Sequence, residues 1–287
     1  MERAVDLGWD VTSLFLQPAS DPTSSTVHAF AVDATDAAAL REVLQGMAFE
    51  YVVNCAGYID HSSFARGGRR VFETHFNTVV NLAEALERGP LRLFVNIGSS
   101  DEYGNNSAPQ TETQREAPIA PYSLGKTAAA HFLQLLDRTE GFPATTLRLF
   151  LTYGPAQDAR RLVPQVILGC LAGKPFPVSA GEQIRDFCYV RDTVDAVFAA
   201  FARPALTRGE VINVASGRPV RIRELIESVR NLVGGGSPQF GRIPYRIGEN
   251  MELYADVSKA KTLLDWAPRV NLESGLTRTI QWFRDQH

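Results

Sequence analysis

Apolar residues fall along this chain in two alternating rhythms: short unbroken runs, and longer stretches in which they recur every three to four positions. Residues 11–16, 27–32, 51–55, 91–97 and 144–150 are runs of strand length, whereas 37–44, 72–87 and 122–140 have helical spacing. Residues 1–7 read as the tail of a helix, with Gly8 in the usual position past a helix end. Strand, helix, strand at this spacing implies parallel pairing through crossover helices, hence an α/β doubly wound parallel sheet. After residue 150 the alternation loosens. Helices are expected at 162–171, 193–201, 222–232, 257–264 and 276–284, with short strands at 187–190 and 211–214.

In doubly wound sheets ligands bind beyond the carboxyl ends of the strands. Asp33, Ala56, Gly57 and Ser99 all stand at such ends. Tyr122 and Lys126 lie four residues apart and share one helix face. A phenol is a poor acid at neutral pH, with a reference pKa near ~10, and an adjacent ammonium lowers it toward a usable range. Two hydroxyls, Ser99 and Ser100, close the preceding strand. A hydroxyl, a tyrosine and a lysine converging at a strand end suit hydride chemistry on a carbinol or ketone. Each piece also has an ordinary explanation: two solvated helix side chains, a helix cap at Asp33, a tight turn at Ala56-Gly57.

Composition removes several other classes. The chain has 287 residues, a net charge of −3 and scattered basic residues, so a nucleic-acid partner is not expected. Cys55, Cys170 and Cys188 are too few and too far apart for a zinc site or a disulfide framework; no metal is expected, and a reduced cytoplasmic compartment is the simplest account. No apolar run approaches the ~20 residues a membrane span requires.

Several motifs in order carry a resemblance to a known family. They are Gly98-Ser-Ser-Asp-Glu-Tyr-Gly104, the Tyr122/Lys126 pair, Arg148-Leu-Phe-Leu-Thr-Tyr-Gly-Pro155, Gly181-Glu-Gln-Ile-Arg-Asp-Phe-Cys-Tyr-Val190 and Ala255-Asp-Val-Ser-Lys-Ala260. The chain resembles the extended short-chain dehydrogenases/reductases, in the branch of nucleotide-sugar epimerases, dehydratases and ketoreductases. The resemblance implies a Rossmann-like NAD(P)-binding domain over residues 1–155. It implies a smaller C-terminal α/β substrate lobe over 156–287, some of whose segments return to the first sheet. It assigns Tyr122 as acid/base, Lys126 to the nicotinamide ribose and Ser99 to the reacting oxygen, with Ser100 as the runner-up. Asp33, Ala56, Gly57 and Asn77 become candidate cofactor contacts, and Arg161, Arg185 and Arg246 candidate contacts to a nucleoside-diphosphate sugar. Helices 72–87 and 122–140 form a dimer interface in relatives, so a homodimer is expected.

Departures from the pattern matter equally. The family opens with a strand and a Gly-x-x-Gly-x-x-Gly turn for the cofactor pyrophosphate, and this sequence contains no such turn. The first strand is central in that fold, so a truncated or wrongly started chain is expected, with two strands left short of a partner. The alternative is a decayed homologue serving as a non-catalytic nucleotide-sugar or protein-binding module. Phe15, Leu16 and Gln17 occupy the positions that discriminate cofactors, leaving NAD against NADP open. Leu151 stands where relatives often carry a substrate-contacting asparagine. Relatives that eliminate water across C5 and C6 place an Asp-Glu pair directly after the catalytic hydroxyl; here Ser100 and Asp101 follow Ser99, which disfavours dehydration. What remains is hydride transfer at a sugar carbon, expected at C4, by an epimerase or a 4-ketoreductase.

Overall fold

A computed structural model describes residues 1–16, 27–245 and 248–286. The first half runs α1 (Glu2–Asp6), β1 (Val11–Phe15), β2 (Val27–Ala31), α2 (Ala37–Leu44), β3 (Tyr51–Asn54), α3 (Gly68–Ala85), β4 (Leu93–Ser99), α4 (Pro121–Glu140) and β5 (Ala144–Leu149). The second half begins with β6 (Leu151–Tyr153), α5 (Leu162–Leu171), β7 (Pro175–Pro177), β8 (Ile184–Tyr189), α6 (Val190–Ala202), α7 (Pro204–Thr207) and β9 (Val211–Val214). It closes with β10 (Pro219–Arg221), α8 (Ile222–Val233), β11 (Ser237–Gln239), β12 (Glu252–Leu253), α9 (Ser258–Leu264) and α10 (Leu272–Asp285).

The strands of the first half are parallel, as the alternation requires. They form a four-stranded sheet ordered β3-β4-β5-β9 and a separate pair, β1-β2. No ladder joins β1 to β3 among the described residues, although Leu14 and Val52 pack against the same apolar core. One face of the sheet is covered by α2, α3 and α4 around Leu40, Val79, Phe94, Leu133 and Phe142. The other is covered by α6 and α9 around Leu147, Ala196, Ile212, Leu264 and Trp266. The β4 strand is buried on both faces, so it reads as a continuous apolar run.

At Phe150 the chain leaves this sheet. The strand expected over 144–150 is β5, and directly after Phe150 the chain forms a further strand, β6, which pairs with β8 of a second sheet. There β8 is central, antiparallel to β10 and parallel to β12 and β6. This sheet packs with α5, α8 and α10 on a core of its own that includes Val166, Ile167, Phe187, Leu225 and Ile280. The chain then returns, and β9 joins β5 in the first sheet. The expected short strand at 187–190 starts earlier, at Ile184, because its polar residues have buried partners.

Asp186 is the clearest of these partners. It is fully buried, and it accepts the Ser216 amide at 2.6 Å, the Ser216 hydroxyl at 2.5 Å and the Gly217 amide at 2.8 Å. The side chain therefore ties β8 to the turn that follows β9, joining the two sheets. Removing it leaves three part-buried donors without their acceptor, each worth about 1 kcal/mol. Asp186→Ala is expected to lower the unfolding free energy by roughly 1–3 kcal/mol, read as a reduced urea midpoint; an unchanged midpoint contradicts this role.

Candidate active site

The carboxyl end of β4 and the first turn of α4 meet at one point. β4 delivers Ser99, after which the backbone tightens into a 3-10 turn, Ser100–Tyr103. Ser99 caps that turn: its hydroxyl accepts the Asp101 amide at 3.2 Å, and its own amide donates to Glu102 Oε1 at 2.7 Å. α4 starts with Pro121, whose missing N–H costs nothing at a first helical position, and Ser123 bonds back to Ala120. Tyr122 sits in this first turn, 5% exposed, with its phenol near enough to the Ser99 hydroxyl to be stabilised by it.

Burial dominates the electrostatics. It pushes the Tyr122 phenol up to about 12; the Ser99 hydroxyl pulls it down, the Asp101 and Glu102 charges push it up, and Arg161 pulls it down. Lys126, one turn later, is also buried, and desolvation brings its amine down to about 8. Its Nζ donates to the Ile97 carbonyl at 2.7 Å. Lys126 thus fastens α4 to β4 two residues before Ser99.

His75, on α3, was not singled out from the sequence. Its ring meets Tyr122 edge-on with centroids 4.9 Å apart, and the residue is 4% exposed. Because the Tyr58 carbonyl can only accept, His75 Nε2 carries the proton and donates to it at 2.8 Å; Nδ1 keeps a buried, unpartnered lone pair. Gly125 allows the approach: a Cβ there would lie 3.0 Å from the Phe72 carbonyl and 3.1 Å from His75 Cβ. Gly57 does the same from the loop after β3, where a Cβ would overlap the imidazole at a φ of +112°. Desolvation, reinforced by the Lys126 charge, brings the His75 imidazole down to about 4. His61 and Asp101, 3.9 Å apart and each about one-third exposed, stand beside Tyr122 on the open side.

The remaining candidates separate into two groups. Ala56 and Gly57 are exposed at the end of β3, and Asp33 is exposed beyond β2, its carboxyl held below its usual range by hydrogen bonds from Thr35. Ser100 is buried behind Ser99, at 3% exposure. Asn77 is exposed, two positions past His75; Asn81 instead bonds the carbonyls of Ala34 and Thr35. Arg161 caps the start of α5. Arg185 is buried and donates to Glu249 Oε1 at 2.5 Å and to the Ile184 carbonyl at 2.9 Å. Arg246 and Gln17 lie outside the described residues. No group of His, Cys, Asp and Glu able to hold a metal occurs among the described residues, and no described helix is long and apolar enough to cross a membrane.

His75 generates a pH prediction. Its imidazole titrates near 4 when folded against 6.5 in the exposed state, so between those values the unfolded chain binds more protons and stability falls as pH falls. His75→Asn is expected to remove on the order of 1–3 kcal/mol of the stability lost between pH 7 and pH 4.5, measured as urea midpoints at both values. Equal pH dependence in the two proteins contradicts the assignment.

The geometry can be set beside known proteins. Residues 1–215 match the family model described as the NAD dependent epimerase/dehydratase family. Among curated relatives, a dTDP-glucose 4,6-dehydratase of Xanthomonas campestris pv. campestris is 31% identical over 202 residues, covering 66% of this chain and 57% of that protein. A UDP-glucuronate 4-epimerase of Thermodesulfobacterium geofontis is 24% identical over 280 residues, covering 96% and 85%. The solved UDP-glucose 4-epimerase of Thermotoga maritima, with UDP-glucose, superposes with a TM-score of 0.92 at 25% identity, covering 99% of this chain and 94% of that one. The chain spans little more than half the length of the first of these relatives. With three quarters of its length under the family model, the chain belongs to the NAD-dependent epimerase/dehydratase family.

Proposed function

We propose that this protein carries out NAD-dependent oxidoreduction at C4 of a nucleoside-diphosphate sugar, as a 4-ketoreductase or a 4-epimerase. The observation that carries this is the pairing of two neighbouring hydroxyls, Ser99 and Tyr122, at the end of β4. Ser99 orients the sugar oxygen. Tyr122 gives it a proton on reduction and takes one on oxidation. At neutral pH the phenol is protonated, the state that reduction needs.

The residues present fit the nicotinamide end of a dinucleotide. Lys126 supplies a buried amine, the unpartnered His75 Nδ1 supplies an acceptor, and Ala56-Gly57 supplies an exposed strand-end loop. Asp33 suits hydroxyls further along the same row. When bound, NAD supplies the hydride acceptor and donor. The pyrophosphate lacks its glycine-rich turn in this sequence.

Dehydration is disfavoured although several relatives are dehydratases. Elimination across C5 and C6 asks for an acid and a base together on the turn after Ser99. Ser100 is buried there, Glu102 is fully buried against Arg148, and Asp101 alone is partly exposed beside Tyr122. On the substrate side, Arg161 has the field to meet a diphosphate near Tyr122, whereas Arg185 would have to exchange Glu249 for phosphate. A homodimer through α3 and α4 fits the exposed Leu124 and Leu135, three turns apart on one face of α4.

Incubation with a nucleotide 4-keto-6-deoxy sugar and reduced cofactor tests the reaction. Stoichiometric loss of nicotinamide absorbance identifies the ketoreductase, and epimerised sugar without net cofactor change identifies the epimerase. Tyr122→Phe is expected to lower kcat by about 10²–10⁴-fold with little change in sugar binding. Calorimetric binding of nucleotide sugar with no binding of NAD or NADP would contradict the enzyme and leave a binding module. Light scattering at micromolar concentration is expected to give twice the 31.6 kDa chain mass; a monomer contradicts the dimer.

A further inference from the structure

Behind Ser99 lies a charge cluster that the chemistry above does not use. Arg148, on β5, has no solvent exposure, and neither does Glu102. Arg148 Nε and Nη2 donate to Glu102 Oε2 at 3.1 and 2.8 Å, and Nη2 also donates to Glu116 Oε1 at 2.9 Å. Its guanidinium lies 4.4 Å from the centroid of the Tyr103 ring, and Nη1 has no hydrogen-bond partner.

Each carboxylate leads to one arm of the site. Glu102 accepts the Ser99 amide on its other oxygen. Glu116 lies six residues before Tyr122, in the segment that enters α4, and the adjoining Ala117 amide donates to the Glu102 carbonyl at 3.1 Å. One guanidinium therefore grips both the strand end that carries Ser99 and the lead-in to the helix that carries Tyr122. The backbone is shaped around the same carboxylate. A Cβ on Gly98 would come within 2.7 Å of Glu102 Oε1 and 2.8 Å of Thr146 Cγ2.

A buried ion pair is a poor way to gain stability, since apolar side chains of equal volume usually do as well or better. What charge-assisted, bidentate contacts add is fixed direction and distance. We propose that Arg148 is a positioning residue which, through Glu102 and Glu116, sets the separation and orientation of the Ser99 and Tyr122 hydroxyls. Its kinetic consequence rests on the redox reading above, while its structural consequence does not.

The test compares Arg148→Lys, Arg148→Met and the double variant Arg148→Met/Glu102→Gln in the full chain. Arg148→Lys keeps the charge but loses the fork, and it is expected to lower kcat on the order of 10²-fold with KM unchanged. The double variant removes both charges; it is expected to regain the melting temperature lost in Arg148→Met without regaining kcat. Recovery of kcat in step with melting temperature would overturn the proposal and leave a structural staple. Hydrogen exchange of the ligand-free protein reads the same device without any substrate. Arg148→Lys is expected to speed exchange in residues 98–104 and 116–123 while the C-terminal lobe is unchanged. Unaltered exchange there overturns the proposal even if no nucleotide sugar is turned over by the parent protein, an outcome that would instead count against the redox reading alone.

Discussion

The proposed chemistry asks that two hydroxyls on separate elements be held close together where little water reaches them. Ser99 ends a strand buried on both faces, and Tyr122 opens a helix that packs over that strand. Their mutual placement depends on the register between β4 and α4. Three contacts set it: Lys126 on the Ile97 carbonyl, Glu102 on the Ser99 amide, and the close approach of α3 at Gly125. Each lies on the main chain or against it, so none can shift without moving the backbone that bears the chemistry.

The same enclosure sets the chemical character of the site. Desolvation raises the phenol and lowers the amine, bringing Tyr122 to about 12 and Lys126 to about 8. At neutral pH both are protonated, which suits delivery of a proton to an oxygen that gains charge as hydride arrives. The neutral His75 ring lines the same enclosure without adding a charge. Charges that cannot be left unpaired in so dry a place are matched directly behind it, in the Arg148, Glu102 and Glu116 cluster.

Much of this was legible in the sequence because it rests on period and order. Strand-length apolar runs alternating with helical spacing gave the parallel α/β sheet, and Ser99 and Tyr122 stood at a strand end and a helix start. What could not be read were consequences of tertiary placement. Helical spacing puts Asn77 and His75 two positions apart, but only the packing of α3 on α4 decides that the imidazole turns inward. Arg148 stood inside a recognised motif, yet nothing local tells that it is buried on two carboxylates 46 and 32 residues away. The short strand β6 escaped for the same reason: it follows β5 almost directly, and only the partner strands differ. Nor does spacing tell that the Lys126 amine reaches the Ile97 carbonyl of the strand below.

A crystal structure of the protein with NAD and a nucleoside-diphosphate sugar would test the central claim most directly. The account predicts the sugar C4 oxygen within about 3 Å of both the Ser99 hydroxyl and the Tyr122 phenol, with the nicotinamide ring on the Lys126 side. A sugar bound with C4 remote from both hydroxyls, or a dinucleotide seated away from the end of β4, would contradict it.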